Sequence, residues 1–256
     1  MNIRSLTGFL PLADPIRDSD LRALCDLVTA ARADFARADF PIQTARVAIQ
    51  SLAHRAPRDL TRAARALASA CQANAIDYAS LGALDGDHPL VAEIPAALAA
   101  TENNFASAHI ASRDGGIHLT AITNAARVIR QLADSTQDGF GNLRFAALAN
   151  VPPLSPFFPA AYSDGGTPAF ALATEAAPLA VDAFSHAKNL DDARANLVGA
   201  IERASETIAR LADDLAARFD FRFAGIDFSL APYPEESRSI GAAIETLIGA
   251  KFGEHG

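Results

Sequence analysis

The sequence predicts an α/β fold, because short runs with strand-like patterning recur along the chain and helical periods fill most of the intervals between them. The chain has 256 residues, of which 50% are apolar, so it can bury a substantial core. Strands that alternate with helices favour a mainly parallel sheet or a barrel. We therefore expect residues 1–256 to form one α/β domain, with 136–141 and 163–167 as loops or internal boundaries.

The predicted strands are short and spread over the whole chain. They lie near residues 2–9, 46–52, 75–81, 104–110, 143–150, 168–174 and 221–228. In the last of them, strict alternation predicts that Phe223, Gly225 and Asp227 share one face of the sheet. The glycine would then let a ligand approach Asp227 closely.

Three helices carry the clearest periodic signals. The strongest has apolar residues at alternating spacings of four and three, as in an amphipathic helix packed on a core. These residues are Leu197, Ile201, Ala204, Ile208, Leu211 and Leu215. A second helix is predicted through Ile122, Ala126, Ile129 and Leu132, and a third begins at Leu21 after three residues with cap-forming side chains.

The chain has two cysteines, and both fall in predicted helices. Cys71 follows Leu60, Ala64 and Leu67 at spacings typical of a buried helical stripe, and Cys25 lies in a similar pattern. Both are expected to be unreactive core thiols. A disulfide or a catalytic cysteine is the alternative.

Net charge and hydropathy limit the kinds of partner that the chain is expected to have. The net charge is −8, from 22 basic and 30 acidic residues, which disfavours contact with nucleic acid. The N-terminal segment lacks the apolar region of a signal peptide, and no run approaches the roughly 18 apolar residues that span a bilayer. We expect a cytoplasmic protein without membrane contact that binds a small molecule and can form homo-oligomers.

Two stretches are unusually rich in polar or conformationally restricted residues. Gly225–Gly241 joins a predicted strand to a predicted helix, with Pro234 suited to the first helical position and Glu235 to the first turn. Gly141–Tyr162 joins another strand to a loop stiffened by prolines. The aromatic side chains of this loop could wall a pocket, or the loop could form a rigid plug.

These stretches give the chain a resemblance to domain-of-unknown-function family 711, which is labelled pyruvate formate-lyase-like. The resemblance covers essentially the whole chain. It is most specific in Gly225–Gly241 and in Asn142–Phe145 with the loop that follows. Met1–Ser5 and Gln43–Arg46 add weaker similarity.

The resemblance implies part of the ten-stranded α/β barrel of glycyl radical enzymes. Family members are longer, so it also implies a chain truncated at its C-terminal end. We do not expect a glycyl radical, because Gly249 and Gly253 lie in no matching motif and the cysteines fall on N-terminal helices. We expect no NAD site either, since 139–144 lacks the last glycine of a dinucleotide fingerprint.

Ligands in α/β sheets lie beyond the carboxyl ends of strands, which selects candidate site residues. Asp227 and Glu235 are the predicted general acid or base. The predicted ligand-binding residues are Asn150, Phe157, Tyr162, Ser229, Ser237, Arg238 and Ser239. Arg238 would hold a carboxylate or phosphate. The cofactor is not specified, although Asp227 and Glu236 are weak candidates for a divalent metal. The same rule selects Glu175 and His109, of which His109 is expected to be structural.

These residues predict an enzyme, a lyase or a hydrolase, that acts on a small polar metabolite by carboxylate acid/base chemistry. A non-catalytic metabolite-binding or regulatory protein is the alternative, because the same side chains can hold a ligand without turnover. A degenerate fragment without a function of its own is the third hypothesis.

Overall fold

The computed structural model of the chain describes residues 1–12, 14–52, 59–231, 234–251 and 253–254. Within them it confirms a mixed α/β fold. The strands are β1 (Ile3–Leu10), β2 (Ile42–Ile49), β3 (Tyr78–Asp85), β4 (Asn104–Ser112), β5 (Gly116–Ile117), β6 (Phe145–Ala149), β7 (Ala169–Thr174) and β8 (Arg222–Asp227). The helices are α1 (Arg22–Arg37), α2 (Leu60–Ala73), α3 (Ile94–Ala99), α4 (Leu119–Ser135), α5 (Ala177–Ser185), α6 (Leu190–Phe219) and α7 (Ile240–Ile248).

All eight strands belong to one sheet, whose main order is β5-β4-β3-β2-β1-β7-β8, with β6 also paired to β4. Strands β1, β2, β3, β4 and β6 run parallel to one another, and the two-residue β5 is antiparallel to β4. Strands β7 and β8 are parallel to each other, but β7 is antiparallel to β1. Hydrogen bonds between the described strands do not close this sheet into a barrel.

The main hydrophobic core lies on one face of the sheet. Strand residues such as Leu6 and Ile49 pack there with side chains from helices α1, α2, α3, α4 and α6. Cys71 is part of this core, and burial raises the pKa of its thiol to about 12. Cys25 is half-buried, and both cysteines are free thiols. Such a high pKa keeps Cys71 in the protonated, unreactive form.

Local sequence signals set the helix ends. The Asp59 side chain accepts a hydrogen bond from the Arg62 N–H at 3.0 Å and begins α2, and Asn189 does the same for α6 through the Asp192 N–H at 2.8 Å. Helix α6 ends at Asp220, whose φ of 56° places it in the left-handed region. The apolar stripe predicted for this helix is confirmed in part, because Ala204, Ile208 and Leu215 are buried whereas Leu197, Ile201 and Leu211 are only half-buried.

Helix α4 forms as predicted, but its core-facing stripe is displaced by one residue. Of the predicted apolar positions only Leu132 is buried, whereas Ile122 and Ile129 are exposed. The buried residues are Ala121, Ala125, Val128 and Leu132. Two apolar stripes lie side by side on this helix, so periodicity alone could not tell which of them faces the core.

Two expectations for the Gly225–Gly241 stretch are wrong. Gly225 has a φ of 121°, and β8 gains one residue relative to β7 at this point, so Phe223 and Ile226 both pack toward the main core. This irregularity breaks the predicted alternation. Helix α7 begins at Ile240, later than Pro234, because Ser239 accepts a hydrogen bond from the Ala242 N–H at 3.3 Å and caps it.

The loop between β6 and β7 covers the other face of the sheet. Its residues Leu154 and Phe158 pack against a small second core that includes Phe9, Ala48 and Ala171. The Ser80 hydroxyl donates a hydrogen bond to the Ala161 carbonyl at 2.6 Å and ties the loop to β3. This loop, residues 150–168, is called the Pro/Phe loop, and it is a packed element of the fold.

Candidate functional site

The reversal between β1 and β7 divides the predicted site residues between two ends of the sheet. The carboxyl ends of the five parallel strands lie at one end, near Asp85, His109 and Asn150. The carboxyl ends of β7 and β8 lie at the opposite end, because Ile3 at the start of β1 pairs with Thr174 at the end of β7. Asp227 therefore meets the amino ends of β1 and β2.

A cleft of about 200 Å³ lies at this second end. It is lined by residues from β1, β2, β7, the Pro/Phe loop and the segment after β8. The polar and aromatic members are Arg4, Ser5, Arg46, Phe157, Phe158, Thr174, Asp227 and Ser229. Three of the predicted site residues, Phe157, Asp227 and Ser229, thus come together here.

Two arginines give the cleft a cationic side. The Arg46 guanidinium stands over the Phe158 ring at 5.3 Å from its centroid and over the Tyr78 ring at 5.8 Å. Its Nε donates a hydrogen bond to the Thr44 hydroxyl at 3.1 Å. The Thr44 hydroxyl in turn donates to the Arg4 carbonyl at 2.8 Å. These contacts fix the direction of the guanidinium before any ligand binds.

Asp227 gives the cleft an acidic side. The Ser229 hydroxyl donates a hydrogen bond to the Asp227 carboxylate at 2.8 Å, and the Thr174 hydroxyl donates to the Asp227 backbone carbonyl at 2.9 Å. One contact orients the carboxylate and the other holds its backbone. The aspartate is thus positioned from both sides, as acid/base chemistry requires.

Ser5 lies between the two charged sides. Across the sheet, Thr44 pairs with Ser5, Ser5 with Ala173 and Ala173 with Asp227. Adjacent strands are about 4.8 Å apart. Across the sheet, Ser5 therefore lies one strand spacing from Thr44 and two strand spacings from Asp227. The Ser5 side chain is 0% exposed and its hydroxyl has no hydrogen-bond partner among the described residues. A buried hydroxyl without a partner is costly, and this one borders the cleft.

The other predicted residues of the Gly225–Gly241 stretch lie outside the cleft lining. Glu235, Glu236 and Ser237 are exposed, and the Ser237 hydroxyl donates to Glu235 at 3.0 Å. Arg238 pairs with Glu175 at 2.8 Å, and the Glu175 side chain is only 4% exposed. With Ser239 acting as the helix cap, these residues have clear local structural roles.

Asn150 and Tyr162 are placed toward the other end of the sheet. The Asn150 N–H donates to the Ala111 carbonyl at 3.1 Å, so this residue continues the β6 pairing. The Tyr162 hydroxyl donates to the Val151 carbonyl at 2.7 Å, and its ring lies edge-on to His109 at 5.3 Å. Burial raises the pKa of Tyr162. Both residues stabilise the base of the Pro/Phe loop.

A second cavity, of about 400 Å³, lies at the carboxyl ends of β3 and β4. Asp85, His109, Ser112 and His118 are among the residues that line it. Burial lowers the pKa of His109 from its ordinary value of 6.5, and the nearby Asp85 carboxylate partly offsets this effect. The imidazole is therefore held in the neutral form over a wider pH range than in the unfolded chain.

We expect the free energy of unfolding to fall as the pH is lowered from about 7.5 to 5.5, in part because of His109. The unfolded state binds the proton first, since the pKa of His109 is lower in the folded state. Urea unfolding of the wild type and of His109→Gln at several pH values measures this contribution. The variant should have the flatter pH dependence. Equal slopes for the wild type and His109→Gln would contradict the assignment.

Neither a cluster of metal-binding side chains nor a membrane-spanning helix is present in the described part of the chain. No group of three or more His, Cys, Asp or Glu side chains within it is arranged to hold a metal ion. The exposed Glu236 does not line the cleft that contains Asp227. No helix in the same residues is long and apolar enough to span a bilayer.

Comparison with known proteins identifies the family and the relatives of the chain. The family model described as "Uncharacterised ACR (DUF711)" matches residues 1–256. The chain belongs to this family. A UPF0210 protein of Syntrophotalea carbinolica is 29% identical to the DUF711 chain, over 77% of this chain and 47% of its own length. One from Thermoanaerobacter sp. is 27% identical, over 96% of this chain and 58% of its own.

A third UPF0210 protein, from Pelobacter propionicus, is 30% identical over 68% of this chain and 40% of its own length. The DUF711 chain thus spans about half the length of the curated relatives it matches. The family resemblance predicted from the sequence is confirmed. The relation to pyruvate formate-lyase and the truncation remain predictions.

The cleft draws residues from all four stretches that carry this resemblance. Ser5 comes from the first, Arg46 from the second, Phe157 from the loop after the third, and Asp227 from the fourth. Sequence reasoning missed Arg4, Ser5 and Arg46 as site residues. The available signal was an arginine at the start of the predicted strand 46–52, directly before the apolar run Val47–Ile49.

Proposed function

We propose that the DUF711 chain is the metabolite-binding part of an enzyme that uses Asp227 as a general acid or base on a small organic anion. The observation that carries this proposal is the cleft in which Arg46 from β2 and Asp227 from β8 lie on opposite sides, with Arg4 and Ser5 from β1 between them. Guanidinium groups are well suited to hold a carboxylate or phosphate. The anionic group would bind at the arginine side.

The size of the cleft supports a small ligand. A water molecule takes up about 30 Å³ in the liquid, so a volume of about 200 Å³ corresponds to only a few waters. Pockets for drug-sized molecules are larger, roughly 300–1,000 Å³. A metabolite with four or so carbon atoms matches this space, and Phe157 and Phe158 supply an apolar wall for its carbon chain.

Asp227 would take up or release the proton in the reaction. The Ser229 hydroxyl, 2.8 Å from its carboxylate, keeps one oxygen in place. A bound anion at the arginine side would present its neighbouring carbon or hydroxyl group toward Asp227. Proton transfer there supports a lyase or a hydrolase, and it requires no glycyl radical or NAD.

The test is to incubate the purified chain with a panel of small carboxylates, phosphates and sugars and to follow each compound by NMR. For a compound that is converted, Asp227→Asn should reduce the rate at least about 100-fold, the scale of general acid/base catalysis, while binding changes little. Glu235→Gln is the control, because this exposed carboxylate lies outside the cleft lining. Conversion that survives in Asp227→Asn, or that is lost in Glu235→Gln, would contradict the assignment.

A non-catalytic metabolite-binding or regulatory role is the second candidate. It rests on the same arginines and on Ser5, which can hold an anion without turnover. Binding without conversion of any compound in the panel would favour it. The UPF0210 relatives extend well beyond the matched region, so an activity of the longer proteins can require parts that this chain does not share.

At the level of the fold, we infer that residues 1–256 form one α/β domain whose sheet corresponds to part of a barrel like that of glycyl radical enzymes. Two features support this inference. Five strands run in one direction and β5, β7 and β8 in the other, and helices cover one face while the Pro/Phe loop covers the opposite face. The loop would then lie on the barrel interior.

A further inference from the structure

We propose that the ligand of the cleft is a hydroxylated carboxylate, whose carboxylate binds Arg46 and whose hydroxyl group binds Ser5. This inference rests on the proposed function, which places an organic anion in the cleft, and it specifies the chemical class of that anion. It is carried by the unpartnered Ser5 hydroxyl at the cleft floor.

The burial of Ser5 is the first step of the argument. The side chain is 0% exposed, yet no described residue forms a hydrogen bond with its hydroxyl. A sheet position that served only packing would favour an apolar side chain, because an unmet buried hydroxyl is destabilising. A ligand atom in the cleft would supply the missing partner.

The position of Ser5 is the second step. It pairs with Thr44, whose hydroxyl accepts from the Arg46 guanidinium, and lies two strands from Asp227. A ligand whose carboxylate is bound by Arg46 therefore passes over Ser5 before it reaches Asp227. The group next to the carboxylate is the one that Ser5 contacts.

The chemistry of a hydroxyl group is the third step. The Ser5 hydroxyl can donate one hydrogen bond and accept others, so its best complement is a group that also does both. A ligand hydroxyl has this property, and it can pass its own proton toward Asp227. An ammonium group can only donate, and a methylene group can do neither, so both are poorer partners for Ser5.

Thr7 provides a matched comparison on the same strand. It is also 0% exposed and its hydroxyl also lacks a partner among the described residues, but it does not line the cleft. Removing either hydroxyl should stabilise the ligand-free protein, because each is buried and unsatisfied. Only removal of the Ser5 hydroxyl should affect the ligand.

Calorimetry with succinate, both enantiomers of malate, and aspartate tests the proposal, because these compounds share one carbon skeleton and differ by a hydrogen, a hydroxyl or an ammonium group. One malate enantiomer should bind about tenfold or more tighter than succinate, the effect expected of one hydrogen bond made by an otherwise unsatisfied buried group. Ser5→Ala should remove this preference and raise the melting temperature of the free protein. Thr7→Val should raise the melting temperature and keep the preference.

The possible failures are distinct. Equal binding of malate and succinate, with both lost in Arg46→Met, would overturn the hydroxyl assignment and leave the anion cleft intact. Tightest binding of aspartate would overturn it in favour of an amino acid. No binding of any of the four compounds to the wild type at millimolar concentration would overturn this inference, and the proposed function would fall with it only if the other carboxylates and phosphates of the wider panel also fail to bind. A malate preference that survives in Ser5→Ala would overturn the role of Ser5, because another residue would then bind the ligand hydroxyl.

Discussion

Replacement of Arg238 by methionine is expected to lower the free energy of unfolding by about 3 kcal/mol, because it leaves the charge of Glu175 buried without its arginine. The two side chains are joined at 2.8 Å, and Glu175 is 4% exposed. The pair connects the end of β7 to the segment before α7. Urea unfolding followed by circular dichroism measures the loss.

The matched control uses the other carboxylate that faces the same arginine. Glu235 lies 3.6 Å from Arg238 and its side chain is 63% exposed, so Glu235→Ala should cost less than about 1 kcal/mol. If Arg238→Met instead abolished binding of small carboxylates and left stability unchanged, the ligand-binding role predicted for Arg238 from the sequence would be correct.

Substitution of Gly82 by alanine is expected to cost about 3 kcal/mol or more. Gly82 has a φ of 79°, and a Cβ there would lie 2.5 Å from the Gln50 carbonyl oxygen of the neighbouring segment. The left-handed backbone alone costs roughly 1–2 kcal/mol for a non-glycine residue, and the contact with backbone atoms adds strain that no side-chain rotation can relieve. Equilibrium unfolding in urea gives the value.

Gly116→Ala separates the two contributions. Gly116 also has a left-handed φ, of 68°, but a Cβ there would meet nothing within 4 Å. This variant should lose only the conformational part, about 1–2 kcal/mol. Equal losses for the two variants would mean that β3 moves away from Gln50 at little cost.

Most of the strands could be predicted from the sequence, because each is a short apolar run bounded by turn-forming residues. The direction of β7 could not be predicted, because a strand pattern with a period of two is the same in both orientations. That direction decides which strand ends meet. Asp227 was therefore expected with Asn150 and His109, whereas it faces Ser5 and Arg46.

Of the polar residues of Gly225–Gly241, Asp227 and Ser229 line the cleft, whereas Glu235 to Ser239 lie outside its lining. Ser239 and Arg238 are explained by a helix cap and a buried ion pair. Both roles depend on where the helix begins, and that boundary is poorly determined by local sequence. Arg4 and Arg46 were missed because they lie within β1 and β2, away from the carboxyl ends of strands where ligands of α/β sheets are expected.

The antiparallel pairing of β1 with β7 also has a consequence for the order in which the protein can fold. Strands β1 to β4 and β6 pair with partners that are near in sequence, whereas Ile3 must find Thr174. Closing such a long loop carries a large entropic cost and is intrinsically slow. The side of the cleft that holds Asp227 is thus joined to the arginine side by the most distant pairing in the sheet. A chain that has assembled only its local strands lacks this cleft, so binding of the proposed ligand would report on the completed fold.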